Sequence, residues 1–385
     1  MLRVSAFSSL LLVPQLCTTD DPFAFLQEEE DEYMDCIDDE SESIQDVVDT
    51  PQQKMFDSID DFDVQEVIGV GSYGKVFYAL HQGTPYALKV ISRAKIRANP
   101  SFSRHHAMEL AILRTLGCPF AAQCHGIIHL DEHVVIVEEF VPGGELYYHI
   151  QKHRNITEDQ ARFYAAELVV ALEFLKEAGV LFRDLKPENL MLDAQGHLKL
   201  IDFGLSTLVP PTTDDPLYVR EVFARTFCGT AEYLAPEVIQ GNYYGMAVDI
   251  WGLGCVLYEI LTGYPPFYSN NQQTMFHRIL HEPLRTPANF SSDLTSLLSV
   301  LLQKDWRKRP SLNNIQNHAW FKGIDWRQVR RHGLTPPFVP TKGETQRQAK
   351  FIDAADSDVR SSFICNRYGG GSSSIASDEQ MHHCA

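Results

Sequence analysis

No Cys-x-x-Cys pair occurs among the eight cysteines of this 385-residue chain, which stand apart at Cys17, Cys36, Cys118, Cys124, Cys228, Cys255, Cys365 and Cys384. That spacing offers neither a disulfide framework nor a zinc ligand set, and a reducing compartment is the default. Positive charge is not in excess either: 33 Lys+Arg face 51 Asp+Glu, a formal net charge of −18. Such acidity argues against a chain built as a whole to wrap nucleic acid or lie on an anionic membrane. The N-terminal apolar run from Ala6 to Val13 is cut by Pro14. It is too short to span a bilayer and only loosely like the apolar part of a secretory leader. Residue 2 is Leu, where myristoylation needs Gly, and no prenylation box ends the chain. The expectation is a protein without a stable membrane span, cytoplasmic with access to the nucleus rather than secreted. No internal repeat is visible.

What is present is unevenly spread. Eighteen Asp+Glu fall between Asp20 and Asp63, against Lys54 alone, whereas Val64 to Ala385 holds 31 basic and 33 acidic residues. Residues 1–61 therefore read as an acidic, disordered leader with too little apolar surface to offset the entropy of ordering. Short β-type runs follow: Val64–Ile68, Lys75–Leu80, Tyr86–Ile91 and Val134–Val137, interrupted by one helical stretch from about Ser103 to Leu116. After Gly143-Gly144 the periods turn helical. Thr157-Glu158-Asp159-Gln160 fits a capping box before a helix that Gly179 stops, and residues 249–262 and 293–303 form two more helices. The fold class is α+β, a small β-rich lobe with one key helix before a larger α-helical lobe. The folded domain is expected over 62–321. Residues 322–385, Pro-rich from Thr335 and Gly/Ser-rich at Gly369–Ser374, form an extension and flexible tail.

Five short motifs carry chemistry. Ile68-Gly69-Val70-Gly71-Ser72-Tyr73-Gly74-Lys75-Val76 is a glycine loop between two strands, where missing Cβ atoms let backbone N–H groups approach phosphates. A strand after the last glycine argues against a dinucleotide site. Ala87-Leu88-Lys89-Val90 places a lysine among apolar neighbours, where it needs an anionic partner: phosphate, or Glu109 on the following helix. Then come Phe182-Arg183-Asp184-Leu185-Lys186-Pro187-Glu188-Asn189, Leu200-Ile201-Asp202-Phe203-Gly204 and Ala235-Pro236-Glu237. Order and spacing match the protein-kinase signature set. Phosphoryl transfer asks mainly for positioning and neutralised phosphate charge. Asp184 would accept the hydroxyl proton, Lys186 neutralise the γ-phosphate, Asn189 and Asp202 bind Mg²⁺, and Lys89, held by Glu109, clamp the phosphates of ATP. Ile68–Val76 and Ala87 would complete the ATP pocket.

Residues 62–351 resemble the catalytic core of the AGC group of Ser/Thr protein kinases, most closely its cyclic-nucleotide-dependent members. The resemblance rests on Phe182 before Arg183-Asp184, on Thr226-Phe227-Cys228-Gly229-Thr230-Ala231-Glu232-Tyr233-Leu234-Ala235-Pro236-Glu237, and on Asp249-Ile250-Trp251. It also rests on Gly263-Tyr264-Pro265-Pro266-Phe267 and His318–Trp326. It implies a bilobal kinase fold, Ser/Thr specificity marked by Lys186, and Thr226 as an activation-loop phosphosite read by Arg183 and His105. It further implies a Glu237–Arg309 ion pair and a stack of Leu113, Phe182 and Phe203. Glu145, Glu188, Glu232 and Glu259 would line the peptide cleft and favour Arg at the −3 and −2 positions, with Phe227, Ala231 and Leu234 below an apolar side chain after the target hydroxyl. Control falls to a separate cyclic-nucleotide-binding regulatory subunit or to an upstream kinase acting on Thr226; both stay open. A pseudokinase scaffold is the alternative class, marked by loss of Lys89, Asp184 or Asp202, all of which are present.

Several residues depart from the family. Glu138 stands at the back of the adenine pocket, where an apolar residue is usual. Val209–Pro216 is extra in the activation segment, Ala231 replaces a Pro, and Cys118 replaces a His. Phe351 marks a partial match to the adenine-covering segment, and Phe363 stands alone without a terminal Phe-x-x-Phe motif.

Overall fold

The computed structural model describes residues 56, 58–70, 74–152, 156–209 and 228–341. Most of the acidic leader, Gly71, Ser72, Tyr73, most of the activation-segment insert, Thr226, Phe227, Phe351, Phe363 and the Gly/Ser-rich tail lie outside them.

Five antiparallel strands form the small lobe: β1 (Asp63–Val70), β2 (Gly74–His81), β3 (Thr84–Ser92), β4 (Cys124–His129) and β5 (His133–Glu139), in the order β1-β2-β3-β5-β4. Period-2 alternation divides their side chains between two faces. Leu88, Val90, Val135 and Val137 join Phe62 and Phe77 in an outer apolar cluster. Phe56, within the stretch read as leader, belongs to this cluster, its ring 4.8 Å from that of Phe62. Ile91 and Ile136 instead turn to the main core. A Cβ on Gly74 would sit 2.0 Å from the Val90 carbonyl oxygen. The last glycine of the loop is thus required by strand packing as well as by any phosphate.

The short helix α1 (Arg93–Ala98) leads into α2 (Pro100–Thr115). Asn99 Oδ1 accepts from Phe102 N–H at 3.2 Å, and Pro100 opens the first turn. The helix begins three residues before the expected Ser103 because Asn-Pro is itself a start signal: a side-chain cap, then a residue with no N–H to satisfy.

The large lobe is helical: α3 (Leu146–Lys152), α4 (Glu158–Glu177), α5 (Pro236–Ile239), α6 (Ala247–Thr262), α7 (Gln272–His281), α8 (Ser292–Leu301), α9 (Leu312–Gln316) and α10 (Trp326–Arg330). The capping box closes in both directions: Thr157 Oγ1 accepts from Gln160 N–H, and Gln160 Oε1 accepts from Thr157 N–H at 2.9 Å. Helix α6 is apolar nearly all round and runs through the core until Gly263, at φ +83°, turns the chain out. Between α4 and α5 lie the pairs β6 (Val180–Leu181) with β9 (Thr207–Leu208) and β7 (Leu190–Leu192) with β8 (Leu198–Leu200). The loops at their ends carry the third and fourth motifs. The Pro-rich segment passes the β7–β8 turn so closely that a Cβ on Gly196 would lie 2.2 Å from the Phe338 carbonyl oxygen.

Candidate active site

Lys89, on the inner face of β3, reaches Glu109 of α2 at 2.6 Å and Asp202 after β8 at 2.8 Å. Burial alone would lower the lysine pKa, but Glu109, Asp202 and Glu138 outweigh it and hold the ammonium well above its usual range. Burial likewise pushes Glu109 up, and Lys89 pulls it below its ordinary value. Lys89 is the main reason that Asp202 is held down. Two of the three Lys89 donors are used; no protein acceptor for the third is present among the described residues. Asp202 sits at φ +63°, its Oδ1 also accepting from Gly204 N–H at 3.2 Å.

The second cluster centres on Asp184. Its Oδ2 meets Lys186 Nζ at 2.7 Å and accepts from Asn189 Nδ2 at 2.9 Å. Asn189 also donates to the Asp184 carbonyl at 2.8 Å, locking the short turn Pro187–Asn189. Thr230 N–H and Oγ1 donate to Asp184 Oδ1 at 3.0 and 2.8 Å, and Lys186 Nζ donates to Thr230 Oγ1 at 2.6 Å. The strained turn holding Asp184, with Arg183 at φ +69°, is clamped from beneath. Asp249 on α6 accepts from both Phe182 N–H and Arg183 N–H at 2.9 Å, and burial pushes its carboxyl up to about 6. Phe182 and Phe203 meet edge-on with ring centres 5.3 Å apart, and Leu113 is buried in the same core.

A divalent ion is implied by the motifs. The buried Asn189 and the half-exposed Asp202 offer amide and carboxylate oxygens there. Among the described residues no group of three or more His, Cys, Asp or Glu side chains could cage a metal. Two hard-oxygen donors match Mg²⁺, which keeps most of its shell for water and substrate phosphates.

Four acidic residues gather beside this cleft. Glu145, Glu188 and Glu259 are each raised first by burial; Glu188 raises Glu145 and Glu259, and Glu232 raises Glu188 and Glu259. Glu259, nearly inaccessible on α6, accepts from Tyr233 Oη at 2.5 Å and is pushed up to about 7. His105 of α2 is lowered by burial and by the positive charge of Arg183 and Arg104. The Arg183 guanidinium donates to the Leu205 carbonyl at 2.6 Å and to Tyr244 Oη at 3.3 Å. Glu237 and Arg309 form a two-pronged ion pair at 2.5 and 2.7 Å.

The structure thus brings Lys89, Glu109 and Asp202 together, and Asp184, Lys186 and Asn189 together. Ile68, Gly69, Val70 and Gly74, Lys75, Val76 flank the glycine loop, and Ala87 stands two residues before Lys89 on the same face. Two functional contacts escaped the motif reading. Thr230 ties the activation segment to Asp184, and Asp249 supports the turn from 66 residues away in sequence to Arg183. Both residues stand in segments that carry the resemblance, but nothing in their spacing reveals their hydrogen-bond partners.

Residues 62–321 match the model of the protein kinase domain. A RAC family serine/threonine-protein kinase homolog of Dictyostelium discoideum is 42% identical over 306 residues, 77% of this chain and 67% of that protein. Serine/threonine-protein kinase Sgk1 of Danio rerio is 41% identical over 288 residues, 73% and 64% of the two chains. Serine/threonine-protein kinase YPK1 of Saccharomyces cerevisiae is 39% identical over 327 residues, 81% and 47%. The chain spans about half to two thirds of the length of these relatives.

Proposed function

The chain belongs to the protein kinase family, with the Ser/Thr kinases of the AGC group, and on that premise we propose that it transfers the γ-phosphate of ATP to Ser/Thr hydroxyls of basic protein substrates. One observation carries this reading: Lys89, Glu109, Asp202, Asp184, Lys186 and Asn189 form two hydrogen-bonded clusters at the cleft. The unused Lys89 donor would take the α/β-phosphates, and Asn189 with Asp202 would hold Mg²⁺, which when bound neutralises phosphate charge. Asp184 would accept the substrate proton. Thr230 Oγ1 already donates to it at 2.8 Å, a distance that suits an incoming hydroxyl. Lys186, beside the same carboxylate, would follow the moving charge.

The acidic group of Glu145, Glu188, Glu232 and Glu259 supports a preference for Arg before the target. Glu145, Glu188 and Glu259 are held up in part by neighbouring carboxylates, and such a group gains from any cation that enters it. The basic group of Arg183, His105 and Arg104 supports phosphorylation at Thr226 as the activating event, since phosphate adds about −1.5 to −2 charge. The relatives carry RAC, Sgk1 and YPK1 names rather than cyclic-nucleotide ones. Of the two controls, an upstream kinase acting on Thr226 is therefore the one we carry, ahead of a cyclic-nucleotide-binding subunit. No described helix is long and apolar enough to cross a membrane, and a cytoplasmic site of action is part of the same proposal. A scaffold role has no observation in its favour.

Radiolabel transfer to an Arg-rich peptide tests the reading. Asp184→Asn is expected to lose at least about a hundredfold in kcat. Wild-type transfer no faster than that of Asp184→Asn would sink it. A peptide array with acid- or proline-directed preference would remove the substrate part alone.

A further inference from the structure

The β3–β5 register decides which side chains share the cleft face of the sheet. Ala87 pairs with Glu138 and Lys89 with Ile136, so these four project to one side. Glu138 is therefore the diagonal neighbour of Lys89, a separation of about 7–8 Å that long side chains bridge. On its other flank β4 sets Cys124 opposite. Glu138 is partly buried, and no hydrogen bond or ion pair reaches its carboxyl from the described residues. Burial pushes that carboxyl up to about 7; Lys89 opposes the rise, while Glu109 and Asp202 add to it. Among the described residues, Lys89 is the cation whose field bears on it. A carboxyl in such a place costs desolvation, which that cation offsets in part.

Three carboxyl groups thus bear on one ammonium: Glu109 from α2 and Asp202 from the loop after β8 touch it, and Glu138 from β5 acts from farther off. They are not equivalent. Asp202 is the one whose charge a divalent ion would claim, and Lys89 would then keep Glu109 alone if the residue behind it were apolar. We propose that Glu138 is a positioning residue, a second counter-charge that steadies Lys89 together with Glu109 when Asp202 serves the metal. The carboxylate that marks this chain out in its nucleotide pocket acts through the lysine, and it makes the Lys89–Glu109 pair partly redundant.

The inference rests on Lys89 serving the nucleotide. The test is a double-mutant cycle on the full chain, reading Mg·ATP affinity by calorimetry alongside kcat and KM for ATP. Glu138→Gln alone is expected to weaken binding by less than about threefold and Glu109→Gln by about tenfold. The double variant should exceed the product of the two by about tenfold, the coupling of charges that share a partner. In Glu109→Gln, which removes one of the two anions that raise Glu138, affinity should fall as pH falls, with a midpoint below the parent's value of about 7; the double variant should lack that step. Glu138→Asp should restore most of the loss seen with Glu138→Gln. Single effects that simply multiply would overturn the proposal. So would a Glu138→Gln chain that binds ATP more tightly than the parent, since the carboxylate would then be repelling phosphate. Lys89→Met that binds and transfers as the parent does would overturn both this and the role of Lys89. Lost transfer in Lys89→Met with multiplicative singles would overturn this proposal only.

Discussion

Two ion pairs of the same chemistry are built differently in the two lobes. Arg309 and Glu237 are each 1% exposed and meet in a fork. The guanidinium also donates to the Gln303 and Ala247 carbonyls at 2.9 and 2.8 Å and lies over the Trp251 ring at 5.0 Å. Its charge has nothing left to do. Lys89 is 17% exposed, and one of its carboxylate partners, Asp202, is 53% exposed. It keeps a donor over, among the described residues, and more anionic neighbours than it needs. A closed pair serves the fold, whereas an open pair with surplus charge is arranged for something that arrives from outside. The difference lies in the inventory of donors and acceptors, not in distance, since both pairs are short.

The comparison breaks first at Arg309. Arg309→Ala leaves the buried Glu237 carboxyl without its ion-pair partner, and should cost about 3–5 kcal/mol in urea unfolding. A loss below about 1 kcal/mol would mean that the pair is not sealed in solution. Lys89→Met should do the reverse, losing about a hundredfold to a thousandfold in transfer. Its unfolding free energy should fall by less than that of Arg309→Ala, about 1–3 kcal/mol, because the buried Glu109 loses its lysine but keeps His106 at 3.7 Å, and Asp202 is open to solvent. If the two variants unfolded alike, the distinction would be gone.

A third ionic site sharpens the contrast because it is sealed yet titratable. His197 Nδ1 meets Glu167 at 2.6 Å, and the His197 ring stacks on His332 with centres 4.6 Å apart. Burial first, then the positive charge of His197 and Lys199, holds His332 down to about 4, with Asp193 and Glu139 opposing. An unfolded imidazole titrates near 6.5, so between about pH 6.5 and 4 the unfolded chain binds the extra proton and stability falls with pH. His332→Phe should remove about 1 kcal/mol of the loss between pH 7 and 5, after discounting for partial exposure. An unchanged pH–stability curve would place His332 in solvent. The smallest effect belongs to local structure: Thr157→Ala should cost about 1 kcal/mol by uncapping α4, with transfer unchanged at saturating substrate.

The order of elements was legible because their signals are local. The capping box at Thr157 and the alternation in β3 and β5 depend on neighbours within a few residues. The candidate site residues were legible for another reason: glycine loop, lysine and paired aspartates match the signature of a known family in order and spacing, and that spacing is held by short strands and turns. The start of α2 was misplaced by three residues, since Asn99 and Pro100 act as cap and first turn rather than as loop. Thr230 and Asp249 were invisible as partners of the catalytic turn because their hydrogen bonds cross 46 and 66 residues.

Residue order on its own settled which groups exist and which elements carry them: a lysine on a strand, a glutamate on the next helix, two aspartates in turns, and four glutamates from Glu145 to Glu259. Tertiary packing settled who answers whom. Whether a cationic side chain is finished, as at Arg309, or left with a donor to spare, as at Lys89, depends on how many acceptors the fold brings within about 3 Å. That number is a property of three dimensions, because charge and hydrogen bonding act through space and take no account of distance along the chain.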